Sequence, residues 1–382
     1  MSAAIMKRIV VVGNGIAGLT AADSLRGSGY DGELIIIGDE RHPAYSRPAL
    51  SKALLAEGAA DDAHRLPPPN HEATELLGRA AIGLDPDRRL ITTDDGTEVP
   101  YEGLVIATGS RARTLGGGGV LALRGLDDAI RLRTALTARP EVVVVGGGPL
   151  GMEIASAALA VGCGVTVVSQ RLPMLDQVGS HLAQVLVDAA RARGLRVVLT
   201  SEATTRETSG GTEVVLGDGA VRRGDLVVAA VGDVPNLEWL AGTGLLTTEG
   251  ALAVDSRGRV RPGIVAAGDL ATIPTRRGLR RIPLWTSAID QAKTAGAALL
   301  RGEEAPALDL RPYFWTEQFG ITLKAAGFLP ADGEPDRLAG KGVSALLRWG
   351  HPDGTGTAAA VDYRIPVPKL RRLCDAVSEG AA

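Results

Sequence analysis

The chain is short of cysteine, of aromatic side chains and of net charge. Its 382 residues include two cysteines, Cys163 and Cys374, which form neither a C-x-x-C nor a C-x-x-x-x-C pair and have no metal-ligand spacing. A thiol relay and a structural metal are therefore not expected. Cys163, in Val161-Gly162-Cys163-Gly164, reads as a small core residue at the end of a helix. A net charge of -3 gives no general attraction to nucleic acid or membrane. No apolar run approaches the ~20 residues of a bilayer span. The stretch from Met1 to Arg8 runs almost at once into a glycine turn, so it reads as the approach to a first strand rather than a signal peptide, and a cytoplasmic protein is expected. Aromatics are scarce, with 4 Trp, 5 Tyr and 3 Phe. Yet Tyr313, Phe314, Trp315 and Phe319 lie together, either as the core of a small terminal domain or as a stacking wall for a planar ligand. Core packing is the default.

Glycine, by contrast, is abundant, with 50 residues. Two groups of them follow the same pattern: a β-branched run, G-x-G-x-x-G, then an alanine-rich stretch. The first is Val10-Val11-Val12-Gly13-Asn14-Gly15-Ile16-Ala17-Gly18. The second is Val142 to Val145 followed by Gly146-Gly147-Gly148-Pro149-Leu150-Gly151. The first Gly of such a turn bends it, the second admits a pyrophosphate, and the third lets helix pack on strand. The helix N-terminus then presents unpaired N–H groups to the phosphates. Two copies imply two dinucleotides and electron transfer between them.

The repeat extends beyond the turns. After the first copy come a helix from Ala17 to Gly27, a strand from Glu33 to Ile37, the turn at Asp94-Asp95-Gly96, and a strand from Leu104 to Ala107. After the second come a helix from Leu150 to Val161, strands from Val165 to Val168 and from Arg196 to Leu199, the turn at Gly217-Asp218-Gly219, and a strand from Leu226 to Ala230. Self-similarity on this scale indicates duplicated domains. The expected fold is α/β, with two Rossmann-like dinucleotide-binding domains and a small C-terminal α+β domain. The first domain is discontinuous (1–112 and 246–312), the second spans 113–245 and the third 313–382.

These motifs resemble the FAD-dependent ferredoxin and rubredoxin reductases, the putidaredoxin-reductase-like members of the pyridine nucleotide-disulfide oxidoreductase fold without redox cysteines. The marks are Arg47-Pro48-Ala49-Leu50-Ser51-Lys52, Ala107-Thr108-Gly109, Ala266-Ala267-Gly268-Asp269 and Phe314-Trp315-Thr316-Glu317-Gln318-Phe319-Gly320. The first and last are far more specific than a glycine fingerprint alone. The resemblance implies FAD at the first copy, around Gly13, Gly15, Ile16, Ala17 and Gly18. Asp39 follows the second strand, where an acid accepts from ribose hydroxyls. The resemblance adds Arg47, Ala81, Ala107, Thr108, Gly109, Arg124, Trp285 and Trp315 around the cofactor. It also sets Asp269 on the ribityl chain, a position that equally suits a helix N-cap. Lys52, at the start of an expected helix, and Glu153 would meet beside the flavin ring as the catalytic pair.

The second copy would hold NADH or NADPH through Gly146, Gly148, Leu150 and Gly151, with Gly232 and Pro235-Asn236 flanking. Here the chain departs from the resembled pattern. An NADH-selective site carries an acid at the end of the second strand, but this chain has Ser169-Gln170-Arg171. Arg171 could bind a 2′-phosphate, which tilts the expectation slightly toward NADPH; a solvent-facing Arg171 is the alternative. Pro283-Leu284 stands where the family usually has Glu-Ser, and the segment after Arg372 is short for the family, which bears on partner docking. Arg276, Arg277, Arg280 and Arg281 form a basic run, either a docking patch for an acidic partner or a solvated hairpin.

The expected function is electron transfer from NAD(P)H through FAD to a small iron–sulfur ferredoxin or rubredoxin serving an oxygenase or P450, by a monomer or homodimer. Two other readings stay open: a flavoenzyme reducing O2 or a small molecule directly, and a non-enzymatic redox-sensing flavoprotein.

Overall fold

The computed structural model describes residues 6–58, 60–116 and 119–375; Met1–Ile5 and the residues from 376 on, in which parts of the first-strand approach and the C-terminal segment were read, lie outside them. The chain divides into two units, one of residues 1–46, 65–111 and 234–310 and another of 47–64, 112–233 and 311–382.

In the first unit Arg8–Val12 is a central strand, paired in parallel with Glu33–Gly38 and with Gly103–Ile106. Thr74–Leu77 and Ile264–Ala266 extend the sheet in parallel, and Arg259–Arg261 closes one edge. The apolar run is continuous because both faces are covered. Val10 and Val12 face a core with Ile91, Val99, Trp239 and Leu252. Ile9 and Val11 face the helices Ile16–Gly27 and Trp285–Arg301. Small residues let those helices approach closely, with Ala17, Ala21 and Ala22 on one and Ala288, Ala292 and Ala295 on the other buried in the shared core.

The second unit repeats this plan. Its parallel sheet runs Arg196–Leu199, Gly164–Ser169, Glu141–Val145, Leu226–Ala229 and Val120–Ala122. The order of third, second, first and returning strand matches that of the first unit. Each unit also carries a three-stranded antiparallel meander, Ala81–Asp85, Leu90–Thr93 and Glu98–Pro100 in the first and Ala203–Thr208, Gly211–Leu216 and Val221–Arg223 in the second. A five-stranded antiparallel sheet follows in the order Tyr313–Gln318, Ile321–Gly327, Gly356–Val361, Ser344–Gly350 and Asp336–Lys341. Helix Val367–Asp375 covers it through Leu370, against Ala326, Ala358 and Ala360. The α/β class with two dinucleotide folds and a further α+β part stands as read.

Two local expectations change. Lys52 does not begin an α-helix: Arg47–Ala49 and Ala53–Leu55 are separate 3-10 turns, and Lys52 between them has φ -120° and ψ -96°. Leu54 and Leu55 are buried, and their turn packs against helices Leu126–Leu136 and Pro149–Ala160. That packing ties residues 47–64 to the second unit, whereas residues 234–245 sit with the first. Asp269 is not a helix N-cap either. Ala271–Thr275 is a strand paired with Gly278–Arg281, because its alternating pattern buries Ala271 and Ile273 on one side. Among the described residues no helix is long and apolar enough to cross a membrane, and no His/Cys/Asp/Glu cluster could hold a metal ion.

Candidate functional site

The two glycine turns are superimposable in their chemistry. Gly13 has φ +115° and Gly146 φ +116°, values that suit glycine. A Cβ on Gly13 would overlap the carbonyl oxygen of Ala107, and one on Gly146 that of Ala230. Gly18 and Gly151 press on the carbonyls of Gly13 and Gly146, which is what brings each helix onto its strand. The middle glycines differ from these. Around the Cβ direction of Gly15 nothing lies within 4 Å, and at Gly148 the nearest atom is Gln177 Nε2 at 3.8 Å. Each opening lies at a helix N-terminus, Ile16–Gly27 or Pro149–Ala160, that no side chain caps. Amides and partial positive charge are thus left for an anion. Ile16, Ala17 and Leu150 are in those first turns.

The first turn and the helix Trp285–Arg301 of the same unit also hold polar side-chain atoms without a protein partner. Both side-chain polar atoms of Asn14, between Gly13 and Gly15, are buried without a partner, as are Ser287 Oγ and Gln291 Nε2. Gln291 Oε1 meanwhile accepts from the Gly268 amide at 3.0 Å. Buried polar groups are ordinarily paired, so this cradle fits a polyhydroxylated, phosphate-bearing cofactor. Ala107, Thr108 and Gly109 follow the returning strand. Thr108 Oγ1 donates to the Asn236 carbonyl at 2.7 Å, and Asn236 Nδ2 donates back to the Thr108 carbonyl at 2.9 Å. Pro235-Asn236, expected beside the second nucleotide, therefore belongs with the first unit. Asp269 is half-buried, its carbonyl accepting from Arg281 Nε at 2.6 Å. Asp39 is exposed just past Glu33–Gly38, Ala81 opens its strand, and Trp285 is half-buried at the start of its helix.

In the second unit Lys52 and Glu153 come together. Lys52 Nζ is 2.7 Å from Glu153 Oε2, with the side chains 16% and 6% exposed. Ser51 Oγ donates to the same oxygen at 2.5 Å, and Thr316 Oγ1 donates to Oε1 at 2.6 Å. Gln318 Nε2 in turn donates to Thr316 Oγ1 at 3.1 Å. The ammonium also lies 5.9 Å from the ring centroid of Trp315, which stacks on Tyr313. Of the terminal aromatics, Tyr313 and Phe319 are core and Trp315 is half-buried. Arg47 Nη1 donates to the Arg124 carbonyl at 2.9 Å, which brings those two residues together as well.

A cleft of about 280 Å³ opens at the second turn, lined by Gly146 to Gly148, Ser169, Arg171, Met174, Asp176 and Val231 among others. Ser169 ends its strand and Gly232 has φ +98°. Arg171 Nη1 pairs with Asp176 Oδ1 at 2.5 Å, both side chains more than half exposed. Met174 is fully buried with φ +70° and donates its amide to the Gly147 carbonyl at 2.7 Å, holding the turn. Both cysteines are free. Burial raises the thiol pKa of Cys163 and pushes that of Cys374 up to about 11, so neither favours the thiolate that redox chemistry uses.

Residues 7–292 match the family described as pyridine nucleotide-disulphide oxidoreductase. The chain belongs to that family. Within it the chain falls among the ferredoxin and rubredoxin reductases. It is 33% identical over 382 residues to the benzene 1,2-dioxygenase system ferredoxin–NAD(+) reductase subunit of Pseudomonas putida, covering 96% of this chain and 92% of that protein. It is 34% identical over 335 residues to a rubredoxin–NAD(+) reductase of Ectopseudomonas oleovorans, covering 84% and 86%. Among solved structures it superposes on the covalent putidaredoxin reductase–putidaredoxin complex with TM-score 0.87 and 26% identity, over 98% of this chain and 93% of that one. A pyridine nucleotide-disulphide oxidoreductase of this kind takes FAD and a pyridine nucleotide. Ser51, Thr316 and Gln318 stand in the two most specific motifs, but their meeting around Glu153 shows only in the fold. Asp176 lies outside the G-x-G-x-x-G pattern, and Asn14 is one of its variable positions.

Proposed function

We propose that the chain is a cytoplasmic NAD(P)H-dependent flavoprotein reductase that delivers electrons to a small iron–sulfur ferredoxin or rubredoxin serving an oxygenase or P450. The observation that carries this reading is the duplicated cradle. One chain holds two helix N-termini behind glycine turns with matching geometry, and no thiol relay accompanies them.

FAD, when bound, exchanges the two electrons of a hydride for single-electron steps. Gly13, Gly15 and Gly18 receive its pyrophosphate, Asn14, Ser287 and Gln291 satisfy their buried polar atoms on it, and Asp39 accepts from its ribose. Asp269, Arg47, Arg124, Ala81, the Ala107-Thr108-Gly109 turn, Trp285 and Trp315 take the remaining cofactor contacts that the family resemblance implies. Lys52, held by Glu153, supplies positive charge where negative charge gathers on reduction.

The nicotinamide nucleotide takes the second cleft, on Gly146, Gly148, Leu150 and Gly151, beside Gly232. The relatives are NAD(+)-linked by name, and the acid usual for that preference is replaced here by Ser169. An exposed ion pair contributes only about 0–1 kcal/mol, so Arg171 leaves Asp176 readily for a 2′-phosphate. We therefore assign the cleft to both nucleotides with NADPH favoured. The partner docks at the hairpin Ala271–Thr275 and Gly278–Arg281, where Arg276 and Arg280 are exposed beside Leu279, itself 62% exposed. The absorbance spectrum of the purified protein tests the reading. A flavin spectrum bleached by NADPH and by NADH supports it, and a protein without flavin, or with flavin that neither nucleotide reduces, contradicts it.

A further inference from the structure

Glu153 is carried by the helix that opens the second nucleotide fold, yet all three of its donors come from elsewhere in the chain, Lys52 and two hydroxyls. Ser51 sits in the turn between Arg47–Ala49 and Ala53–Leu55, and Thr316 sits on strand Tyr313–Gln318. Both hydroxyls are buried, with Ser51 5% and Thr316 0% exposed. A buried carboxylate with fewer donors turns toward whatever remains. Lys52 alone would leave Oε1 unpaired and the carboxylate free to rotate. With Ser51 on Oε2 and Thr316 on Oε1, the carboxylate plane is set and Oε2 is directed at Nζ. Gln318, 3% exposed, continues the line by donating to Thr316 Oγ1. Its amide nitrogen also lies 3.9 Å from Met174 Sδ. Met174 is the residue whose amide holds the Gly147 carbonyl in the nucleotide cleft.

We propose that Ser51 and Thr316 are positioning residues for the reductase reaction. They orient Glu153 so that Lys52 is fixed. The proposal rests on the reductase reading above. The strand of the aromatic-rich segment thus has a positioning role separate from any contact by its aromatics.

The test compares Thr316→Val, Thr316→Ser and Ser51→Ala in the flavin-loaded protein. Stopped-flow reduction by NADPH and NADH gives the limiting rate constant and the nucleotide concentration at half-saturation. Competitive amine acylation, read by mass spectrometry without nucleotide, gives the reactivity of Lys52 relative to Lys324 and Lys341 of the terminal sheet. The expected result is a limiting rate reduced roughly ten- to hundredfold in Thr316→Val and less in Ser51→Ala. Half-saturation should stay unchanged, Lys52 alone should gain reactivity, and Thr316→Ser should restore both values. Unchanged rates with unchanged Lys52 labelling in Thr316→Val and Ser51→Ala would overturn the proposal, as would a uniform rise in labelling of all three lysines. If neither nucleotide reduces the wild-type flavin, the reductase reading fails, and the labelling comparison still decides whether the hydroxyls hold the pair.

Discussion

Lys52 Nζ lies 2.7 Å from Glu153 Oε2, and the carboxylate beneath it is 6% exposed. A buried carboxylate needs its cation, and a fixed cation stabilises negative charge far better in such a site than in water. Lys52→Ala should therefore lower the rate of flavin reduction by about 10²-fold, the typical loss on deleting one electrostatic stabiliser. FAD should be retained. Stopped-flow absorbance at saturating nucleotide reads this directly, and a wild-type rate in the variant would remove Lys52 from the mechanism.

The glycines separate folding from binding. A side chain at Gly13 meets the Ala107 carbonyl, whereas one at Gly15 enters open space. Gly13→Ala should lower the melting temperature and abolish flavin binding together. Gly15→Ala should melt close to wild type as apoprotein and still lose FAD. Gly148→Ala, open in the same way, should keep FAD and raise the KM for the nucleotide several-fold. Thermal melts alongside flavin content check all three; full flavin occupancy in Gly15→Ala would show that its opening is not the pyrophosphate site.

Most of this architecture is legible in the sequence because it is local. A β-branched run ending in G-x-G-x-x-G specifies strand, turn and helix within about 20 residues, and it does so twice. The misread segments are those whose conformation is decided at a distance. Lys52 follows a proline and looks like a helix start, but burial of Leu54 and Leu55 against two helices of the second unit holds it in a turn. Asp269 precedes a stretch that pairs with Gly278–Arg281 instead of coiling. The donors to Glu153 are 102 and 163 residues away in the chain, so no spacing rule reaches them.

Nucleotide choice turns on the pair Arg171 and Asp176. Asp176→Asn frees the guanidinium and should raise kcat/KM for NADPH relative to NADH by roughly three- to tenfold, in line with an exposed ion pair. Arg171→Ala should shift the ratio the other way by a similar or larger factor. Steady-state kinetics with both nucleotides at fixed ionic strength measures it. A ratio that neither substitution moves would place discrimination elsewhere.

The arginine hairpin carries the docking prediction. Arg276 and Arg280 are exposed, while Arg281 is engaged with the Asp269 carbonyl, so the first two can be changed without touching the flavin fold. Arg276→Glu with Arg280→Glu should weaken turnover with an acidic iron–sulfur protein at least tenfold at low salt and flatten its salt dependence. Ferricyanide reduction should be unaffected. Equal loss with both acceptors would mean that the hairpin supports the fold and does not dock a partner.

The central claim is delivery of electrons from NAD(P)H to an iron–sulfur protein. The most direct test follows cytochrome c reduction and oxygen consumption together at fixed enzyme and nucleotide while a small ferredoxin or rubredoxin is titrated in. The account predicts cytochrome c reduction that rises and saturates with the iron–sulfur protein, with oxygen consumption a small and falling share of nucleotide oxidation. Nucleotide oxidation matched by oxygen consumption and indifferent to the added protein would contradict it.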